Sequence, residues 1–513
     1  MLWLCENFAP VAVAAAVSAV SWLYGGARGD LLLPVVPWIW VIILEFLLIF
    51  PQRHHGESSV AARERNWRHL KGSRIVWTSL GLVAILSIPF VNTGLCPGCD
   101  AALIAQGVNP APAIRFLPFC VNRLDHLSVV LNIVTAVILA VTVFYALTHE
   151  GKRLALELIV WNGVALAAFG FVQVALDATG PFWSGAADGA MPKAGAFFSV
   201  FGYPNMAGDY FVLLFGLAVA LWRHHCETAY QSELQADPSE LAARKTRRCE
   251  WFLRRHYLLI PAVIFFFSAL YTLSRAAIIL ATATASVYFV HTLLVLMSRM
   301  KKSRRVTVGV WSTLVFSLVF FFASIFMPKD LRREVESLDD VSVLDRVTGR
   351  GQYHATVATA IWKDHLLFGC GGWGYKHFCV SKMQQLGMDV KHGLQTVGGA
   401  NVHNDYLQFL AEHGIVGFGA MVLLAILLYF PVARQWARMV KELRFKKSAT
   451  KIIGPLQIFA LPAPAFVATV AVCASLIHAF GDCPLRSCAI LALVYVTIAA
   501  IGGFMPPVQH SEI

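Results

Sequence analysis

An all-α protein that crosses a membrane about twelve times, with one long loop carrying short helices, is the fold class the sequence predicts. Three observations predict it. Hydrophobic residues make up 57% of the 513 and charged residues only 14%, against about 25% charged in an ordinary soluble domain, so the apolar excess is more than a water-soluble core can hide. Apolar stretches long enough to cross about 30 Å of hydrocarbon recur along the chain. Basic residues concentrate on alternate connections between them, the pattern that orients membrane helices.

In chain order the stretches run over 9–24, 31–50, 75–92, 126–148, 154–176, 206–222, 257–273, 276–297, 306–327, 414–433, 457–480 and 487–505. The first and seventh are short and Pro462 and Pro464 interrupt the eleventh, so the count lies between eleven and thirteen. Glu6 precedes the first stretch, no basic residue does, and a second span follows at once. Those features differ from a cleaved signal peptide, and the first stretch is read as a retained helix. The organisation that results is a first block of nine spans over 1–327, an outer loop region over 328–412 and three closing spans over 413–513.

Connections 51–74, 149–153, 223–256, 298–305 and 434–451 hold 27 of the 42 Lys and Arg. The opposite set holds 15, nine of them in the long loop, whose length removes it from the orientation rule. The first set and both termini are therefore expected in the cytoplasm. Most of the net charge of +12 then faces anionic lipid head groups, and nucleic acid is not needed to explain it. Six cysteines, Cys96, Cys99, Cys120, Cys370, Cys379 and Cys483, fall on the outer side, where disulfides can persist. Cys96-Pro-Gly-Cys99 lacks the flanking pattern of a redox motif and a second pair at zinc spacing, and is read as a structural turn or local disulfide.

The stretch 328–412 is too long to be a plain connection, and loops of that length usually carry function. It holds nine basic and ten acidic residues, so it is no polybasic tail. Apolar residues and aromatics from Tyr353 to Trp362 recur at helical spacing, and a glycine-rich break follows at Gly369, Gly371, Gly372 and Gly374. At its end Leu407, Leu410 and Ala411 follow His403 by four, seven and eight positions, placing His403 near the start of a helix on or beside its apolar face. Gly414 and Gly417 permit a bend or close packing where the tenth span begins.

A histidine at the mouth of a membrane cavity can accept a proton from a hydroxyl at neutral pH; the alternative is an imidazole that caps the helix or anchors it at the interface. Arg275, in the tight connection between the seventh and eighth spans, sits where a guanidinium costs about 2.5–3.5 kcal/mol to insert, so it either serves an anionic partner or snorkels to lipid phosphate. Arg350 opens the amphipathic segment of the long loop. Lys193 precedes the sixth span on the outer side, where it could meet a phosphate, and Asn205 is placed to cap that span. Asp482, four residues before Arg486 in the last outer turn, is expected to pair with it. Asp339 and Asp340 are adjacent carboxylates without a second cluster at metal-ligand spacing, so no metal is expected.

These stretches, in this order, resemble the O-antigen ligase and O-antigen polymerase family of bacterial envelope proteins. The likeness rests on Phe201-Gly-Tyr-Pro-Asn205, Ser274-Arg275, Arg350 with Trp362 to Gly369, His403-Asn404 through Glu412-His413-Gly414, and His478 to Leu485. It covers roughly 190 to 490, and the first 150 or so residues add only hydrophobic helices.

The resemblance implies a GT-C-like glycosyltransferase architecture in the bacterial inner membrane with its site on the periplasmic side. It implies glycan transfer from an undecaprenyl-pyrophosphate-linked donor to an acceptor hydroxyl, on lipid A-core in ligases or on another lipid-linked repeat unit in polymerases. Carried over by position, His403 would be the general base, Arg275 and Arg350 would hold the pyrophosphate, and Lys193 and Asn404 would stand beside the substrate. Oxygen attack opposite the leaving group would invert the anomeric centre. No cofactor is implied: relatives in architecture that need a divalent ion place carboxylates in the first outer loop, and here that loop offers Asp30 alone.

Two departures stand out. Lys193 occupies a place where the family often has Arg, which weakens bidentate phosphate recognition, and outer-loop cysteines are not a family feature; a Cys370–Cys379 disulfide would stiffen the loop. A transporter is the alternative from another class, but the chain shows no internal repeat and its clearest acidic residue within a span, Glu45, lies near the cytoplasmic end. A non-catalytic envelope assembly protein is the third reading.

Overall fold

The computed structural model describes residues 2–92, 112–114, 116–183, 197–235, 256–298, 302–325, 329–336, 341–390, 401–445 and 462–506. Lys193, Cys96, Cys99, Asp339 and Asp340 lie outside the described residues, as does the side chain of Arg350. The helices are α1 Leu2–Trp22, α2 Val36–Leu48, α3 Ser59–Lys71, α4 Arg74–Ser87, α5 Arg123–Ala146, α6 His149–Ala175, α7 Pro204–Gln235 and α8 Leu259–Tyr271. They continue as α9 Arg275–Ser298, α10 Lys302–Ile325, α11 Lys329–Glu336, α12 Val341–Asp364, α13 Gly374–Gln385, α14 Asp405–Phe445, α15 Ala463–His478 and α16 Cys488–Ala500. Among the described residues there is no strand; one isolated bridge closes a turn between Phe198 and Phe201.

In their described parts the stretches read as spans are largely helical, but 31–50 is broken at 33–35 between the short helix Gly29–Leu32 and Val36–Leu48. Five helices are long and apolar enough to cross a membrane, namely Arg123–Ala146, His149–Ala175, Pro204–Glu233, Arg275–Met297 and Asp405–Glu442. The pair Ser59–Lys71 and Arg74–Phe90, bent by 67°, makes a sixth if it is one span. Val36–Leu48, Leu259–Tyr271, Ala463–His478 and Cys488–Phe504 are apolar but shorter, and at 1.5 Å per residue none of them alone reaches about 30 Å. The protein is thus an all-α, multi-pass membrane protein.

Two helices form the centre. From Met206 to Leu221, α7 is buried on every side, and α16 is buried along its whole length, as expected of helices that are apolar all round. Around α7 pack α15, α8, α9 and α6; around α16 pack α5, α1 and α14. Polar anchors set the helix starts: Asn122 accepts from the amides of Leu124 and Asp125 at 2.9 and 3.2 Å, and the Thr148 and Ser487 hydroxyls cap α6 and α16.

A second, smaller core lies over one end of this bundle. It joins Val357, Ala358 and Ile361 of α12 with Tyr375, Phe378 and Met383 of α13, and with Phe119, Val402 and Ala411. The helical spacing from Tyr353 to Trp362 and the glycine break after it are both present, with α12 ending at Asp364 and α13 beginning at Gly374.

Backbone pairing ties this layer to α14. Gly414 breaks the helix with φ 61° and ψ −172°, a region open to glycine and closed to most side chains. The break releases amides and carbonyls that would otherwise pair within the helix. Ile415 and Val416 donate to the carbonyls of Leu366 and Leu367, both at 3.0 Å, while the Ala411 and Glu412 carbonyls accept from Cys370 at 3.0 Å and Gly371 at 2.8 Å. The approach is so close that a Cβ on Gly414 would stand 2.3 Å from the Leu367 carbonyl.

Candidate functional site

Three segments far apart in sequence meet at the joint between the bundle and the smaller core. The first is the turn before α7, where the Phe198–Phe201 bridge and the Ser199 hydroxyl, bonded to the Leu166 carbonyl at 2.7 Å, hold the chain so that Tyr203 and Asn205 project together. The second is the residue pair before α14. Here Asn404 accepts the Leu407 amide at 3.0 Å and so caps the helix, and His403 takes a left-handed φ of 53°. That conformation is uncommon for a side chain with a Cβ and marks a place where the surroundings hold the backbone. The third is the turn after α15, which carries Asp482 and Cys483.

Asp482 is the hub. Its carboxylate accepts from His403 Nδ1 at 3.0 Å, from the Tyr203 hydroxyl at 2.9 and 3.1 Å, from the Cys483 amide at 2.8 Å and from the Asn205 amide group. Burial alone would raise its pKa, but the hydrogen bond and charge of His403 and the charge of His478 outweigh it, so the carboxyl is held below its ordinary range. The side chain of Asp482 is 4% exposed and that of His403 36%. The imidazole therefore turns one nitrogen to a buried carboxylate and keeps the remainder of the ring open. Tyr203 is pushed up by burial and by the charge of Asp482, so it stays a hydroxyl donor, and burial beside Asp482 keeps the Cys483 thiol protonated.

Further polar groups brace this hub. The His354 ring lies 6.2 Å from that of His403 and shares a short hydrogen bond with the Tyr375 hydroxyl. Burial, with the neighbouring charge of His403 second, lowers the His354 pKa to about 4, so it is neutral at physiological pH. Arg486 pairs with Glu412 at 2.5 Å, both almost fully buried, and its guanidinium lies 4.2 Å over the Trp373 ring. Below the hub, Asp209 of α7 binds the Ser475 hydroxyl at 2.5 Å and His478 Nδ1 at 2.9 Å, which locks α7 to α15.

Two expectations are corrected by these contacts. Asp482 pairs with His403, Tyr203 and Asn205, whereas Arg486 turns to Glu412: the turn Cys483–Arg486 aims the two side chains to different sides, and a buried guanidinium needs the fully buried carboxylate that Glu412 supplies. Asn205 does not spend its side-chain amide as a cap; it donates to Tyr203 at 2.9 Å and to Asp482. Cys370 and Cys379 are not joined by a disulfide.

Two of the predicted phosphate-binding residues, Arg275 and Arg350, lie on α9 and α12. Arg275 is half-buried at the first turn of α9. The preceding Ser274, with Thr272 and Ala277, fills the space beside Gly208, one turn along α7 from Asn205. Arg350 lies on α12 one turn before His354.

Comparison with known proteins adds an independent observation. Residues 260–422 match the family model described as O-antigen ligase. This segment is similar to the O-antigen ligase family over about a third of the chain. The family is one of ligase- and polymerase-type glycan transfer, acting on lipid-linked glycans in a membrane setting. No curated protein matches the chain. The matched segment contains Arg275, Arg350, His403 and Asn404, while Tyr203, Asn205 and Asp482 lie outside it on either side. The hub around His403 is thus completed by the rest of the chain. Sequence reasoning did not find the roles of Tyr203, His354 or Cys483; the signal available was that Tyr203 and Asp482 are polar residues in short connections beside apolar spans.

Proposed function

We propose that the protein is a glycosyltransferase that moves a glycan from undecaprenyl pyrophosphate to an acceptor hydroxyl at the periplasmic face of the inner membrane. The observation that carries the reading is the His403–Asp482 pair, a half-open imidazole bonded through Nδ1 to a buried carboxylate. A carboxylate on Nδ1–H fixes the tautomer and leaves Nε2 as the proton acceptor. In the reaction, Nε2 takes the proton of the acceptor hydroxyl as its oxygen bonds to the anomeric carbon. The bond from that carbon to the pyrophosphate oxygen breaks, and its electron pair leaves with the diphosphate, inverting the centre.

Arg275 and Arg350, with Lys193, hold the diphosphate and stabilise its growing charge, for which guanidinium groups suit by fixed geometry and permanent charge. Asn404 sets the position of His403 and borders the substrate. The reaction as read needs no metal: Asp30, the carboxylate of the first outer loop, is taken by Arg28 at 2.6 Å. We favour a ligase, with lipid A-core or a similar lipid as acceptor, and about twelve spans with the 328–412 segment outside; a polymerase that extends a lipid-linked repeat is the second reading. His403→Ala in a strain with a visible surface-glycan ladder tests the class. Loss of transfer at normal membrane abundance is expected, and an unchanged ladder would refute the enzyme reading.

A further inference from the structure

The same turn that carries Asp482 also brings a thiol to His403. The Cys483 Sγ stands 3.4 Å from Asp482 Oδ1, and one ligand atom each from His403, Asp482 and Cys483 lie within 4.8 Å of one another. Among the described residues this is the one group of three such side chains so placed. Asp482 and Cys483 are buried and His403 is half-exposed, so three protein donors of different kinds meet at an accessible edge of the hub. Zinc takes N, O and S donors at about 2.0–2.3 Å in tetrahedral geometry, distances that put neighbouring donors roughly 3–4 Å apart. A thiolate among the donors favours zinc and other thiophilic ions over magnesium or calcium.

We propose that His403, Asp482 and Cys483 form a zinc site that, when filled, switches the centre off. The ion takes the places now held by two hydrogens, that on His403 Nδ1 and that on Cys483 Sγ. The thiol proton is released to solvent, leaving a thiolate ligand; the imidazole proton moves from Nδ1 to Nε2. With Nδ1 on the metal and Nε2 carrying hydrogen, the ring has no lone pair to accept a proton from a hydroxyl. Metal binding stands on geometry alone, whereas the inhibition rests on the transferase reading.

The test uses the full-length protein in detergent micelles with cobalt(II) as a coloured stand-in for zinc, followed by zinc titration calorimetry. The wild-type protein is expected to show a thiolate-to-cobalt charge-transfer band in the near ultraviolet. That band should be lost in Cys483→Ser and kept in Cys473→Ser, which removes the exposed thiol of α15. Zinc affinity should fall by at least about tenfold in Cys483→Ser and in His403→Ala, since even removing partners of metal ligands costs that much. No band in the wild type, a band kept in Cys483→Ser, or equal zinc affinity in all three proteins would overturn the site. In a preparation that transfers glycan, zinc should suppress the rate and a chelator restore it. Saturated zinc binding with undiminished transfer would overturn the switch while sparing the site, and absent transfer in metal-free protein would strike at the transferase reading instead.

Discussion

Replacing Asp482 by Asn tests the hub most directly, because the change keeps size and removes charge. The carboxylate accepts from His403, Tyr203, Asn205 and the Cys483 amide, all donors. An asparagine offers one acceptor oxygen and an NH2 group, so whichever way it turns, a donor faces a donor. One buried donor left unsatisfied costs about 1–3 kcal/mol. If the NH2 faces His403, the imidazole must turn its lone pair to Nδ1 and its hydrogen to Nε2, the wrong tautomer for accepting a proton. General-base catalysis is worth about 10²–10⁴ in rate, and a mid-range loss of about a thousandfold corresponds to about 4 kcal/mol of barrier. His403→Ala should lose a similar factor.

The decisive comparison is the double variant. Two independent losses of about a thousandfold would multiply to about a millionfold, whereas residues that act as one unit do not multiply. His403→Ala with Asp482→Asn should therefore transfer glycan within about threefold of His403→Ala alone. The assay is transfer from a lipid-linked glycan by purified protein, with monodispersity on size exclusion checked for each variant. Multiplying losses in folded protein, or an Asp482→Asn rate near wild type, would refute the positioning argument.

Other outcomes follow from the same contacts. Gly414→Ala should abolish folded membrane expression, because its Cβ would meet the Leu367 carbonyl carbon and oxygen at 2.3 Å at a φ of +61°, while Gly419→Ala, with nothing within 4 Å, should be neutral or gain up to about 1 kcal/mol from helix propensity; fluorescence-detected size exclusion reads both. Glu412→Gln should destabilise by about 3–5 kcal/mol by stranding the buried Arg486, seen as early thermal aggregation, with part of the loss recovered in Glu412→Gln combined with Arg486→Met. His354 has a folded pKa of about 4 against 6.5 for the free group, so the unfolded state binds the extra proton between those values. Stability of the smaller core is complete above about pH 6.5 and falls by up to about 3 kcal/mol as pH drops toward 4. Hydrogen exchange over 353–383 should speed up at pH 5 in the wild type and respond less in His354→Gln; equal protection at pH 7 and pH 5 in the wild type would refute the assignment.

By itself the sequence determined the all-helical membrane class, the places of the helices, the ordered layer between Tyr353 and the glycine break, and His403 beside a helix start. Those are local or compositional properties: apolar length, 3.6-residue spacing and glycine at a break are written in neighbouring residues. It also carried the family resemblance, since Ser274-Arg275 and His403-Asn404 fall within the matched segment.

Only the tertiary structure decided the partners. Asp482 and Arg486 stand one helical turn apart in sequence, yet the first binds His403 and the second Glu412, because the intervening turn faces two different buried environments. Tyr203, His403 and Asp482 are separated by 200 and 79 positions, and no periodicity links residues that far apart. Their meeting depends on α7 and α15 being locked through Asp209 and on α14 being bent at Gly414 against the smaller core. A buried carboxylate draws its donors from whatever the packing brings within about 3 Å, and packing of distant segments is the information a linear pattern does not hold.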